Sequence, residues 1–177
     1  MKKCSAAFLL VMIVATLAVG VQKPDDGINY LSPEGRYRVL FPAQPKLTSQ
    51  LNTNSEGLKF TQYLASAGDE NSLYMVGYFD LAAGVTYSLD KARDGMMKAV
   101  NGTLVSEAPI TLDGNVGREL LASVTDANGV DYLVTARLYN VDMRVYVVQF
   151  LRAKLADDKV LAAKAARFFD SFQLVKS

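Results

Sequence analysis

The stretch Tyr132-Leu-Val-Thr-Ala-Arg-Leu-Tyr139, Asn140-Val-Asp142, Met143-Arg-Val-Tyr-Val-Val-Gln-Phe-Leu151 decides the fold. Two runs rich in valine, tyrosine and leucine flank a short polar break, which is the pattern of a β-hairpin. Alternation puts Leu133, Thr135, Arg137 and Tyr139 on one face of the first strand. The returning strand brings Arg144 and Tyr146 close to them.

Working outward, the flanking segments repeat the theme. Thr103–Thr111 and Asn115–Thr125 read as strands around a Leu112-Asp113-Gly114 turn, with Asp126–Gly129 as the next turn. Leu58–Ala65 and Ser72–Leu81 form another hairpin around Gly68–Asn71. In Ser72–Leu81, Leu73, Met75, Gly77 and Phe79 share one face, with Tyr74, Val76 and Tyr78 opposite. Both faces are apolar, so the sheet is expected to be covered on both sides. Lys46–Asn52 is a weaker strand. Arg36–Phe41 alternates, with Tyr37, Val39 and Phe41 inward, and follows a Ser32-Pro33-Glu34-Gly35 turn in which Gly35 is expected to take the positive φ. Pro42 and Pro45 end that strand.

Two helices complete the pattern. Ser88 is an N-cap, Leu89, Ala92, Met96 and Val100 recur at helical spacing, and Asn101-Gly102 is a stop. Asp157 or Asp158 caps a second helix with Leu161, Ala165, Phe168 and Phe172 along one stripe. Phe172–Val175 then leaves it as a short strand. The expected fold is α+β: an antiparallel sheet of about six to eight strands with two main helices packed on its faces, an α/β/α sandwich.

The N-terminus is of another kind. Met1-Lys2-Lys3 precedes an uncharged apolar run to Val19, and Ala18-Val19-Gly20 offers the small residues of a cleavage site. Residues 1–20 are therefore read as a signal peptide, 21–27 as a linker and 28–177 as one α+β domain. The competing reading is an uncleaved anchor, which would be the chain's only contact with a membrane. Cys4 precedes the apolar run, whereas a lipidated cysteine would follow it, so a lipoprotein signal is not expected. The expected location is periplasmic or secreted.

Composition narrows the chemistry. The 177 residues contain no histidine, and Cys4 is the sole cysteine. That excludes Ser-His-Asp and Cys-His nucleophilic sites, His-based acid/base chemistry and the usual zinc, copper and haem ligand sets. Nineteen Lys and Arg nearly balance eighteen Asp and Glu, which argues against a nucleic-acid partner. The carboxylate pairs Asp25-Asp26, Asp69-Glu70 and Asp157-Asp158 lack the alternating oxygen ligands of a calcium loop. Gly114–Gly117 lies between strands, where a phosphate loop would join a strand to a helix. No cofactor and no metal site is expected.

What remains is a set of charges within strands. Arg118, Arg137, Tyr139 and Arg144 are the candidate ligand-binding residues, since arginines among tyrosines can hold a carboxylate, a phosphate or an acidic peptide. The plainer alternative pairs Arg137 with Glu119 across neighbouring strands, which would make the hairpin scaffold. A carboxylate-based enzyme would fall to Asp80 or Glu119.

Several short motifs carry a resemblance. Tyr37-x-Val39-x-Phe41-Pro42, the helix Leu89–Asp94, Gly117-Arg118-Glu119, Arg137-x-Tyr139 with Val145-Tyr146-Val147, and Phe169-Asp-Ser-Phe172 resemble a group of uncharacterised secreted bacterial proteins. That group is similar to the PsbP-like superfamily of photosystem extrinsic subunits, DcrB-type envelope proteins and a Ran-binding import factor. The resemblance implies an antiparallel sheet between helices, and proteins that bind or assist other proteins without catalysis. It assigns no functional residue. The expectation is a non-enzymatic extracytoplasmic binding or assembly module whose partner is an envelope protein, with a small anionic-ligand binder using the strand arginines as the alternative.

Overall fold

The computed structural model describes residues 27–53, 57–69, 71–154 and 158–175. The signal peptide, the linker as far as Asp26, Glu70 and Asp157 lie outside the described residues. In chain order the elements are β1 (Ile28–Ser32), β2 (Tyr37–Phe41), β3 (Lys46–Thr53), β4 (Lys59–Gly68), β5 (Ser72–Asp80) and α1 (Leu89–Val100), then β6 (Thr103–Leu112), β7 (Asn115–Thr125), β8 (Asp131–Val141), β9 (Arg144–Ala153), α2 (Asp158–Ser171) and β10 (Gln173–Leu174).

The opening hairpin is β8–β9, and it lies in the interior of a seven-stranded antiparallel sheet of order β3-β4-β5-β9-β8-β7-β6. Its register runs unbroken from Tyr132 opposite Ala153 to Val141 opposite Arg144. The turn is thus the two residues Asp142-Met143, with Asp142 left-handed at φ 52°. At the β6–β7 turn Asp113 and Gly114 both have positive φ (49° and 80°), the conformation a tight hairpin requires and Asp-Gly supplies.

The sheet is covered on both faces, as the two-sided apolar pattern of β5 demands. Phe79, Leu120, Ala136, Leu138, Val145 and Val147 form a buried cluster with Ala92 and Met96 of α1. Helix α1 begins where the Ser88 hydroxyl accepts the Lys91 N–H and ends where Asn101 turns left-handed. On the other face Tyr74, Val76, Tyr78, Tyr139, Tyr146, Val148 and Phe150 meet Leu161, Phe168, Phe169 and Phe172. Ala165, in the expected stripe, is partly buried against the same cluster.

One feature differs from the expected single sheet. Strands β1, β2 and β10 form a separate three-stranded sheet of order β1-β2-β10. Tyr37, Val39 and Phe41 are essentially inaccessible to solvent and belong to the same cluster as α2. These three side chains need an apolar floor, and the aromatic face of β5 and β9 provides it. The small sheet therefore stacks as a layer beside α2 and does not extend the large sheet. Burying three such side chains contributes roughly 1.5–3 kcal/mol each.

The turn before β2 also departs from expectation. Arg36, not Gly35, holds the positive φ (53°), with its N–H bonded to the Pro33 carbonyl. Gly35 is required for a different reason. A Cβ there would come within 2.6 Å of both the Ser32 hydroxyl and the Tyr37 ring.

Candidate functional site

Strand parity sorts the candidate residues before any distance is considered. Glu119 lies directly opposite Arg137, so both point to the α2 face, and Arg118 points to the α1 face. Arg118 donates to Asp90 in the first turn of α1 and, at 2.6 Å, to Glu107 on β6. Arg93 joins the same network through Glu107 (2.9 Å) and Asp94 (2.8 Å). The hydrogen bond from Arg118 holds the Asp90 carboxyl below the usual carboxylate range. This cluster ties α1 to the β6–β7 edge of the sheet.

On the opposite face Arg137 Nε donates to Glu119 Oε2 at 2.6 Å. Its guanidinium lies 4.6 Å from the centre of the Phe169 ring on α2. Both are uses that desolvate the cation against protein partners. Tyr139, buried beside it, stacks on Phe172 with ring planes 7° apart. The other side of that ring is bounded by Gly117, where a Cβ would sit 2.5 Å from Tyr139 Cδ1. Burial pushes the Tyr139 hydroxyl pKa up.

Arg144 starts the returning strand of the hairpin, opposite Val141 on β8 and Asp80 on β5. It grips Asp80 through both carboxylate oxygens (Nε 2.6 Å, Nη2 2.9 Å) and donates through Nη1 to the Glu34 carbonyl at 2.6 Å. Its guanidinium also covers the Tyr78 ring at 4.7 Å. The hydrogen bond from Arg144 lowers the Asp80 pKa, and the same bond raises that of Arg144. Beside it Tyr146 donates its hydroxyl to the Gly35 carbonyl at 2.8 Å. Arg144 and Tyr146 thus clamp the Ser32–Arg36 turn of the small sheet onto the large one.

The four candidates therefore do not converge. Arg137 and Tyr139 are neighbours under α2, Arg144 is at the turn end of the hairpin, and Arg118 lies across the sheet. Each of the three arginines is matched to a carboxylate. Asp80 and Glu119 are likewise each matched to an arginine, and among the described residues no group of three or more His, Cys, Asp or Glu side chains is arranged to hold a metal ion.

What does converge is the turn end of the sheet. A concavity of about 590 Å³ is lined by Arg36, Asp80, Asp113, Asp142, Arg144 and Tyr146 among others, with Val141, Met143 and Leu174 as its apolar part. Arg36 is exposed and makes no ion pair among the described residues. Of the four candidate ligand-binding residues only Arg144 reaches this site, together with Asp80, one of the two carboxylates considered for an enzyme. Arg36, Asp113 and Asp142 are additions from the fold, and one signal for them was available: in a meander, alternate turns lie at the same end, so the β6–β7 and β8–β9 turns must be close.

No family model matches the chain, and neither does any curated protein. Solved structures do. The solution structure of cyanobacterial PsbP (CyanoP) from Synechocystis superposes with a TM-score of 0.62 at 13% identity, covering 90% of this chain and 99% of that one. A Bacteroides thetaiotaomicron protein (TM-score 0.49, 14% identity, 86% of this chain and 50% of that one) is similar to a lesser degree. So is a Pseudomonas aeruginosa protein of unknown function (TM-score 0.45, 12% identity, 67% and 94%). At such identities the likeness speaks of architecture, and the architecture of this chain is a PsbP-like α+β fold.

Proposed function

We propose that the protein is a non-enzymatic extracytoplasmic module, periplasmic or secreted, that binds or steadies a protein partner of the bacterial cell envelope, as the DcrB-type resemblance implies. The observation that carries the reading is the fate of the strand arginines. Arg118, Arg137 and Arg144 each spend their charge on a carboxylate within the domain. They act as clamps between layers, and little of their binding capacity is left for a small ligand.

The concavity at the turn end suits a protein surface better than an enclosed metabolite. It is open, it mixes cations with carboxylates, and Met143 is exposed at its rim. Polar rims around a modest apolar centre are the usual anatomy of protein interfaces. The N-terminal export signal supplies the compartment in this reading, and the lack of histidine supplies the absence of the commoner catalytic machinery.

The test is affinity capture from the envelope of the source cell, with Met143→Arg as a variant that alters the rim without touching the core. Recovery of one protein in stoichiometric amount, lost with the variant, supports the reading; no stoichiometric protein from a folded bait opposes it.

One observation favours the alternative of a small-anion binder. Arg36 lines the concavity beside Arg144 and carries no ion pair among the described residues. A thermal-shift series with carboxylates and phosphates decides this, since a ligand at 100 times its Kd adds about 2.7 kcal/mol. A saturable shift abolished by Arg36→Ala would move the assignment to the anion.

A further inference from the structure

The two edges of the seven-stranded sheet are built differently. At one edge β6 carries Pro109, Glu107 and a register break between Leu104 and Ser106. Prolines, charges and bulges are the devices that keep edge strands from pairing with other chains. At the other edge β3 has none of them between Leu47 and Thr53. Its eight residues pair with β4 in unbroken register, and from Leu47 to Thr53 it bears no charge. Leu47 and Leu51 are 60% and 64% exposed, and they share a face because they are four residues apart on one strand.

We propose that β3 pairs with β3 of a second copy of this chain, antiparallel about a two-fold axis at Ser49, joining two seven-stranded sheets edge to edge. The strand is self-complementary in that register. Leu47 of each copy falls opposite Leu51 of the other, Thr48 opposite Gln50, and Lys46 opposite Asn52, so no like charges face each other. The apolar residues that face water in one copy become two facing leucine pairs, one on each side of the Ser49 axis. Tyr63, 42% exposed and opposite Ser49 on β4, extends this apolar surface on both sides of the axis. Pairing also closes. Each β3 edge is consumed by the other, and the protected β6 edge does not propagate the sheet into a fibre. A strand of eight residues is about 27 Å long. A contact made by one edge strand is small beside the roughly 1,000 Å² of a stable interface, so the pairing is a weak, reversible one. This inference stands apart from the proposed envelope partner, whose surface lies at the turn end.

Ser49 on the axis allows a direct test with the full chain. In a Cys4→Ser background, Ser49→Cys places two thiols on directly opposed residues, whose Cα atoms are about 4.5–5.5 Å apart and within disulfide range. The expected result under mild oxidation is a disulfide-linked dimer formed at least tenfold faster than from Thr111→Cys, an exposed position on the β6 edge. Adding Leu51→Lys to Ser49→Cys should slow cross-linking at least tenfold while leaving the thermal melt unchanged. Equal rates for the two cysteines, indifference to Leu51→Lys, or linkage of Ser49→Cys to a different protein alone would overturn the self-pairing.

Discussion

Replacing Gly117 by alanine adds one methyl group and should destabilise the fold by about 1–2 kcal/mol. The added Cβ meets Tyr139 Cδ1 at 2.5 Å, the Leu138 carbonyl oxygen at 2.6 Å and Tyr139 Cε1 at 2.9 Å. These separations are well inside the normal 3.5–4.0 Å carbon contact. Neither neighbour can give way cheaply. The Tyr139 ring is backed by Phe172 in a near-parallel stack, and the Leu138 oxygen belongs to the backbone of β8 where it pairs with Arg118 of β7. Overpacking of this kind costs about 1–3 kcal/mol. The loss of glycine's freedom in the unfolded chain offsets about 0.4–1 kcal/mol of it. For a domain of this size a net loss of about 1–2 kcal/mol lowers Tm by roughly 2–8 °C. Thermal melts and urea titrations of the two proteins measure it. A Gly117→Ala variant as stable as the parent would refute the claim that Tyr139 is wedged between Gly117 and Phe172, and with it the assignment of Tyr139 as scaffold.

Other consequences follow from the same contacts. Ser88→Ala removes the side-chain acceptor for the Lys91 N–H at the start of α1 and should cost about 1 kcal/mol in urea unfolding, with Ser88→Gly costing less. Arg144→Met keeps an apolar side chain of similar length but loses the guanidinium over Tyr78, the Asp80 pair and the bond to Glu34; about 1–2 kcal/mol should be lost, since Asp80 is largely exposed. The same variant should speed amide exchange around the Pro33–Arg36 turn, and unchanged exchange there would mean that Arg144 is not the clamp. Stability should be nearly flat from about pH 5 to 9, because the chain has no histidine to titrate. Asp80 and Asp90 have folded pKa values lowered by Arg144 and Arg118, and Asp131 by the Thr125 hydroxyl, so the stability they contribute is present above about pH 4 and is lost as pH falls through the folded values. Tyr37 and Tyr87 are shifted upward by burial, so the unfolded chain ionises first and stability falls above about pH 10. A denaturation midpoint that changes steeply between pH 6 and 8 would contradict this.

Local signals in the sequence held where a single element decides the outcome. The caps of α1, the Leu161–Phe168 stripe and the β8–β9 hairpin depend on neighbours within a few residues, and each forms as its pattern dictates. The three-stranded sheet was harder to see. The short strand expected over Phe172–Val175 forms as β10, but its two residues do not say which sheet it joins, and β1 exposes most of its side chains and does not announce itself; only the aromatic floor under Tyr37 and Phe41 sets them apart from the large sheet. Parity limited the candidate site from the start. Arg118 and Glu119 are adjacent on a strand, so once Glu119 pairs with Arg137, Arg118 must face α1. The role of Gly117 was not legible, since it depends on Tyr139 lying directly across on β8. Arg36 was hidden by a glycine, because Pro-Glu-Gly suggests that the positive φ belongs to Gly35.

In the proposed function the strand arginines hold layers together and the turn end meets a partner protein. Capture from envelope extract with wild type, Met143→Arg and Arg137→Leu tests it most directly, with each bait's melt recorded. The account predicts one stoichiometric envelope protein with wild type, its loss with Met143→Arg at unchanged melting temperature, and its retention by whatever fraction of the less stable Arg137→Leu remains folded. Loss of the partner with folded Arg137→Leu and its retention with Met143→Arg would contradict the account and return Arg137 to the binding site.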